Sequence, residues 1–242
     1  MAGSVGNITT NIIKNGLYFH LDAANKTAYP GTGTKAYNTI SPISGSFIND
    51  TFTDYSVGQG VFSFDGVEDA ILLEGTEVSD SWLIPTDSTD PFSLSAWFNS
   101  NNVSSASWII SAGANGGTNW DIKIKSDSTI QFRIRQTGSP AYSDIFSSTI
   151  SSNTWYNVTG VFTPTQQILY LNGAQESITS LTFKREATNN IAGAIGCFYY
   201  NNAPYSGFFN GEIGPISFYK SKALSSNEVL HNYNALKGRF GL

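Results

Sequence analysis

Large apolar residues recur at every second position in one segment after another of this chain. Leu17, Phe19 and Leu21 alternate with Tyr18, His20 and Asp22, and Phe92, Leu94, Ala96 and Phe98 alternate with Ser93, Ser95 and Trp97. Trp120, Ile122 and Ile124 interleave with Asp121, Lys123 and Lys125, as Ile130, Phe132 and Ile134 do with Gln131, Arg133 and Arg135. A period of two sends successive side chains to opposite faces of a pleated strand, so each segment predicts a strand with one face in a core. Residues 61–64, 70–73, 108–110, 155–162, 168–171 and 191–198 add further strands. Ser126-Asp127-Ser128 predicts the turn of a hairpin between the segments at 120 and 130, and Asn172-Gly173 a type I′ hairpin turn. Asp65-Gly66, followed by three more residues before the apolar run restarts, predicts a hairpin loop joining 61–64 to 70–73. Residues 23–47, punctuated by Pro30-Gly31, Gly33, Pro42 and Gly45, read as a long loop.

Near the end of the chain the period changes. Ile216 and Phe218 alternate with Ser217 and Tyr219 as a last strand. Ser225 and Glu228 then stand three apart as a capping box, with Leu224 and Val229 at its staple positions. Val229, Leu230, Tyr233 and Leu236 fall on one helical face, and Gly238 is expected as the left-handed terminator. About a dozen short strands and one helix predict an all-β fold, a two-sheet antiparallel jelly-roll sandwich with one short C-terminal helix. No internal period is visible, which disfavours a propeller or a solenoid.

At 242 residues the chain suits a single domain over residues 16–242, preceded by an N-terminal arm of residues 1–15 that carries Ile8, Ile12 and Ile13. Charged residues are 13% and the net charge is −5, with no basic block, so nucleic acid is not an expected partner. Cys197 is the single cysteine, so the chain cannot form an internal disulfide. The first fifteen residues lack the basic and apolar regions of a signal peptide, and no apolar run reaches the length of a membrane span. Synthesis in a cytosol without membrane insertion is expected.

Several separated segments stand in an order that carries a resemblance. They are Leu17-Tyr18-Phe19-His20-Leu21-Asp22-Ala23-Ala24-Asn25, Tyr29-Pro30-Gly31-Thr32-Gly33-Thr34, Phe64-Asp65-Gly66, residues 92–98, Trp155-Tyr156-Asn157-Val158, Leu169-Tyr170-Leu171-Asn172-Gly173, and residues 211–228. Together they resemble the laminin-G-like jelly rolls of the concanavalin A-like lectin/glucanase superfamily over nearly the whole chain from Gly16. The resemblance implies that the last strand pairs with residues 17–22 and brings the chain ends together. The opening Leu-Asp-Ala-Ala-Asn with Tyr29-Pro30-Gly31-Thr32-Gly33-Thr34, and the ending Tyr233-Asn234-Ala235-Leu236-Lys237-Gly238-Arg239-Phe240-Gly241, further resemble versions found in tailed-phage structural proteins. That narrower likeness implies a virion surface protein, either a head decoration or fibre or a tail-associated component. Its expected partners are capsid or tail proteins, further copies of itself in a homo-oligomer such as a trimer, and a host surface glycan.

Glucanases of the superfamily hold an acid and a nucleophile in a Glu-x-Asp-x-x-Glu run. This chain has neither that run nor a Gly-x-Ser-x-Gly elbow, so a non-enzymatic role is expected. Calcium needs several hard oxygen ligands, and the candidates are Asp22, Asp65 and Asp69 at strand ends; the alternative is that these carboxylates cap turns. Sugar binding would use flat aromatic faces with amides beside them. Trp120, Tyr199, Tyr200 and Tyr205, with Asn201 and Asn202, offer both; the alternative is a subunit contact, which favours the same residue types. The expected function is a virion surface protein with a structural and glycan-binding role, and the alternative is a carbohydrate-binding lectin domain not tied to a virion.

Overall fold

A computed structural model describes residues 11–38, 40–41, 43–48, 52–54, 60–75, 88–114, 117–137, 141–182, 185, 192–200 and 203–242. Two eight-stranded sheets face each other. The first contains β1 (Leu17–Leu21), β4 (Phe52–Asp54), β5 (Val61–Asp65), β7 (Phe92–Ser100), β12 (Trp155–Phe162), β13 (Gln166–Leu171), β14 (Ala174–Ser180) and β18 (Asn210–Lys220). The second contains β2 (Lys35–Tyr37), β3 (Ile43–Ile48), β6 (Ala70–Gly75), β8 (Ser107–Ala114), β9 (Gly117–Ile124), β10 (Thr129–Arg135), β11 (Tyr142–Thr149) and β15 (Ala192–Ile195). A separate hairpin joins β16 (Phe198–Tyr200) to β17 (Ala203–Ser206). All named pairings are antiparallel, and the fold is the predicted jelly-roll sandwich with a short C-terminal helix, α1 (Ser226–Leu236).

The core lies between the sheets, where Phe92, Leu94, Phe98 and Phe218 of the first meet Ile110, Trp120, Ile122 and Phe132 of the second. Alternation therefore read the inner faces correctly. β18 occupies the middle of the first sheet. Its residues 211–220 lie against β7, while its two halves bind β5 and β1 on the other side, with Leu17 opposite Tyr219 and Leu21 opposite Ile216. Tyr219, expected on a wet face, is fully buried beneath α1 with Leu224, Val229 and Tyr170.

Three expectations are corrected. β5 and β6 do not form a hairpin: β5 bonds to β18 and β4, whereas β6 bonds to β3 and β15 in the opposite sheet. Asp65-Gly66 carries the chain across the sandwich edge, so that Phe62 and Phe64 meet Ile71 and Leu73 from opposite sides of one core. Residues 23–47 are not a single loop but contain β2 and most of β3. Gly45, which reads as loop punctuation, is a core position, because a Cβ there would lie 2.6 Å from Ile71 Cγ2. Finally, α1 does not stop at Gly238. It tightens into a 3₁₀ turn over Lys237–Phe240, and Gly241 is the left-handed residue at φ 75°. Leu230, expected on the apolar face, is 45% exposed; Asn232 takes the inward position beside Val229 and Leu236. The capping box and the burial of both staple residues are as predicted.

Residues 11–13 also dock on this helix. Ile12 is buried against Leu236 and Phe240, Ile13 N–H donates to Asn232 Oδ1 at 2.8 Å, and Tyr219 O–H donates to the Ile13 carbonyl at 3.1 Å. The last five residues of the expected arm thus run along the body of the fold, and the first ten lie outside the described residues.

Candidate functional site

On the outer face of the first sheet, β5, β18 and β7 bring one polar row into register. Ser63 and Asn99 both lie opposite Glu212, and Trp155 lies opposite Asn99. Opposed residues on one face place their Cβ atoms about 5 Å apart, so these four side chains form a continuous strip. One step toward the sheet end, Asp65 is opposite Asn210. Between them opens a cleft of about 410 Å³ lined by Ser63, Asp65, Asn99, Asn101, Asn210 and Glu212, with Phe64 and Gly211 at its floor. The volume falls in the range of small-ligand sites.

The chain shapes this floor locally. Gly211 has φ 138°, and a Cβ there would lie 2.2 Å from the Asn99 carbonyl oxygen. Only glycine lets β18 run this close to β7. Asn99 Nδ2 donates to Glu212 Oε2 at 3.3 Å, Asn101 Nδ2 to Asn210 Oδ1 at 2.8 Å, and Asn210 Nδ2 to the Asp65 carbonyl at 3.1 Å. One N–H of each cleft amide is therefore committed to its own walls. Asn99 Oδ1 is shielded from solvent and has no hydrogen-bond partner among the described residues, an arrangement that costs free energy unless a donor arrives. Backbone amides, Val67 N–H first among them, hold the Asp65 carboxyl below the usual carboxylate range.

An aromatic stack borders the row. Tyr233 lies parallel to Trp97 at 5.5 Å, Trp97 stacks on Phe240 at 4.6 Å, and Phe240 approaches Trp155 at 4.2 Å. Trp97, which the alternation turns outward, is thus covered by the C-terminal segment. Half-buried Trp155 ends the stack beside Asn99.

The sequence-predicted site residues lie elsewhere or are divided. Trp120 is fully buried between the sheets, 5.9 Å from Phe218 and 6.1 Å from Phe92. This corrects its reading as a sugar platform: it faces the core, as its place in the alternation with Ile122 requires. Tyr199, expected as a sugar contact, is also buried, its N–H donating to Ser111 Oγ at 2.9 Å, in a hairpin folded onto the second sheet. Asn201 and Asn202 lie outside the described residues, as do the side chains of Tyr200 and Tyr205.

Of the three acids proposed for calcium, Asp22 is held bidentately by Arg239 at 2.7 and 3.1 Å and accepts Ala24 N–H. Asp69 accepts Asp65 N–H at 3.0 Å, and Asp65 accepts Val67 and Glu68 N–H. Leu21 is opposite Ile216 and Asp65 opposite Asn210, so Asp22 sits away from the other two. Among the described residues no three carboxylate, imidazole or thiolate groups converge as a metal would require.

Beneath the β16–β17 hairpin lies a second unusual acid. Asp121 is fully buried opposite Ser111 and Arg133. Burial pushes it up to about 6, against the opposing pull of Lys123, Arg133 and the Trp108 side chain.

Residues 75–230 match the Laminin_G_3 model of the concanavalin A-like lectin/glucanases superfamily. The chain belongs to this superfamily. Its lectin-like jelly roll is shared with the binding domain of Paraclostridial Mosquitocidal Protein 1 at 16% identity and TM-score 0.67, covering 90% of this chain and 52% of the other. It is shared likewise with the receptor binding domain of botulinum neurotoxin C/D mosaic serotype at 14% identity and TM-score 0.66, over 90% and 51%. Trypanosoma rangeli sialidase in complex with the inhibitor DANA matches at 15% identity and TM-score 0.66, over 92% of this chain and 33% of that one. The chain thus spans about half the length of the two toxin domains. No curated protein sequence matches it significantly. At these identities the likeness shows the fold, and within that fold the cleft residues belong to this chain.

Asn99, Asn101, Asn210, Glu212 and Trp155 escape a reading by alternation. The signal was present in Asn99-x-Asn101 and Asn210-x-Glu212, polar pairs at the end of β7 and the start of β18. The pairing of those strands, which makes them one site, is not encoded by a period of two.

Proposed function

We propose that this protein is a non-enzymatic glycan-recognition module displayed on the surface of a tailed-phage virion, with the cleft between β5, β18 and β7 as its binding site. One observation carries the reading: a cleft lined by amide, hydroxyl and carboxylate side chains stands directly beside the half-buried end of an aromatic stack. Saccharides present hydroxyl groups on one edge and apolar C–H faces on another, which suits the polar lining around Asn99 and the Trp155 ring together. The toxin domains that share the fold are named as binding domains, which supports recognition over catalysis. The two chain-end segments that resemble phage structural proteins support the virion setting, in which capsid or tail proteins and further copies of the chain are the partners.

Glycan-array screening followed by calorimetry tests the site. Asn99→Ala and Trp155→Ala each weaken binding about tenfold or more, the equivalent of one hydrogen bond or one stacking contact. Each variant keeps a cooperative melting transition. Unchanged affinity in both variants would remove the cleft from the reading, and absence of the protein from purified particles by mass spectrometry would remove the virion.

A further inference from the structure

The lining of the cleft goes further and names the class of sugar, an inference that rests on the glycan reading. Six polar side chains line it, and two of them, Asp65 and Glu212, are carboxylates; among the described residues no lysine, arginine or histidine lines it. Each of the three amides spends one N–H on a cleft wall: on Glu212, on Asn210 or on the Asp65 backbone. The charge the cleft presents to a ligand is therefore that of its two carboxylates, which when ionised can only accept.

From this balance we infer that the cleft selects neutral and amino-bearing saccharides and excludes acidic ones, with Asp65 and Glu212 as the residues that set the choice. Hydroxyl and ammonium groups supply donors to the two carboxylates. A sialic acid carboxylate or a sulfate ester would bring further acceptors and a like charge into a space where, among the described residues, no guanidinium or ammonium receives it. Like charges a few ångströms apart in a partly desolvated cleft disfavour binding by roughly tenfold or more for each carboxylate. Asp65 accepts Val67 N–H at 2.7 Å and Glu212 accepts Asn99 Nδ2, so both charges are fixed in place and stay close to an incoming anion.

The test compares neutral, amino, sialylated and sulfated oligosaccharides on the unmodified chain, on Glu212→Gln and on Asp65→Asn/Glu212→Gln, each at 50 and 300 mM salt. The unmodified chain binds the neutral and amino classes at least tenfold more tightly than the acidic ones, and added salt narrows the gap. Glu212→Gln, which leaves the Asp65 turn untouched, shifts the ratio of acidic to neutral affinity about tenfold toward the acidic sugars; the double variant shifts it further. Equal affinity for acidic and neutral sugars in the unmodified chain overturns the inference, as does a Glu212→Gln variant that binds neutral sugars with its selectivity unaltered. Binding to none of the four classes would instead overturn the glycan reading itself, and the inference with it.

Discussion

Burial sets the protonation of Asp121, whose carboxyl rises from 3.8 to about 6 beneath the β16–β17 hairpin. Between those values the folded chain holds a proton that the unfolded chain has lost. The stability this group contributes is therefore greatest below about pH 4 and is lost as pH rises through 6. The full difference is roughly 3 kcal/mol. Asp121→Asn should raise the melting temperature at pH 8 by roughly 6–12 °C and leave it nearly unchanged at pH 4. Differential scanning at the two pH values checks this, and an equal shift at both would show that ionisation is not the cause. Gly211 answers to sterics instead. Its φ of 138° and the nearby Asn99 carbonyl make Gly211→Ala cost about 2 kcal/mol or more, seen as a fall of roughly 4–8 °C in Tm. A variant melting within 1 °C of the parent would contradict so tight an approach of β18 to β7.

At the scale of elements, the C-terminal helix shows which signals a sequence transmits. Its start was legible, because Ser225, Glu228, Leu224 and Val229 interact locally and at fixed spacing. Its end was not, since the segment beyond Leu236 answers to distant partners. The 3₁₀ turn places Phe240 over Trp97 and Trp155, and Arg239 on Asp22. The Arg239–Asp22 pair, with both side chains at least nine-tenths buried, clasps the C-terminal segment to the end of β1. Removing one partner strands a buried charge, so Arg239→Met should destabilise by about 3–5 kcal/mol. Adding Asp22→Ala should recover most of that loss. Chemical denaturation of the two single variants and the double variant completes the cycle, and additive losses would show that the residues act independently.

For the whole molecule, the sandwich was legible because alternation reports which face of each strand is buried. Neighbour relations were less so. Phe62 and Phe64 in β5 and Ile71 and Leu73 in β6 follow one pattern whether their strands pair or face each other, and only the observed hydrogen bonds place them in opposite sheets. Edge strands with weak patterns, such as β14 with its largely exposed residues, were invisible for the same reason: alternation needs a buried face to register. The site suffered most, because its residues come from four strands remote in sequence. Asn99 and Glu212 share a row through pairing across more than a hundred residues, and the obvious aromatics, Trp120 and Tyr199, were obvious because they are core.

The position of β18 has a consequence for how the protein is made. Its partners β1, β5 and β7 are synthesised long before it, and none of them can bond to β18 until residues 210–220 leave the ribosome. Contacts spanning some 200 residues close slowly, so through most of translation these strands wait with unpaired edges, the state most open to aggregation and to chaperones. The cleft is completed in the same late step, since Asn210, Gly211 and Glu212 form its central wall. A chain cut short before them would display neither the complete sandwich nor the cleft, so the cleft exists only on molecules that have passed their own folding checkpoint.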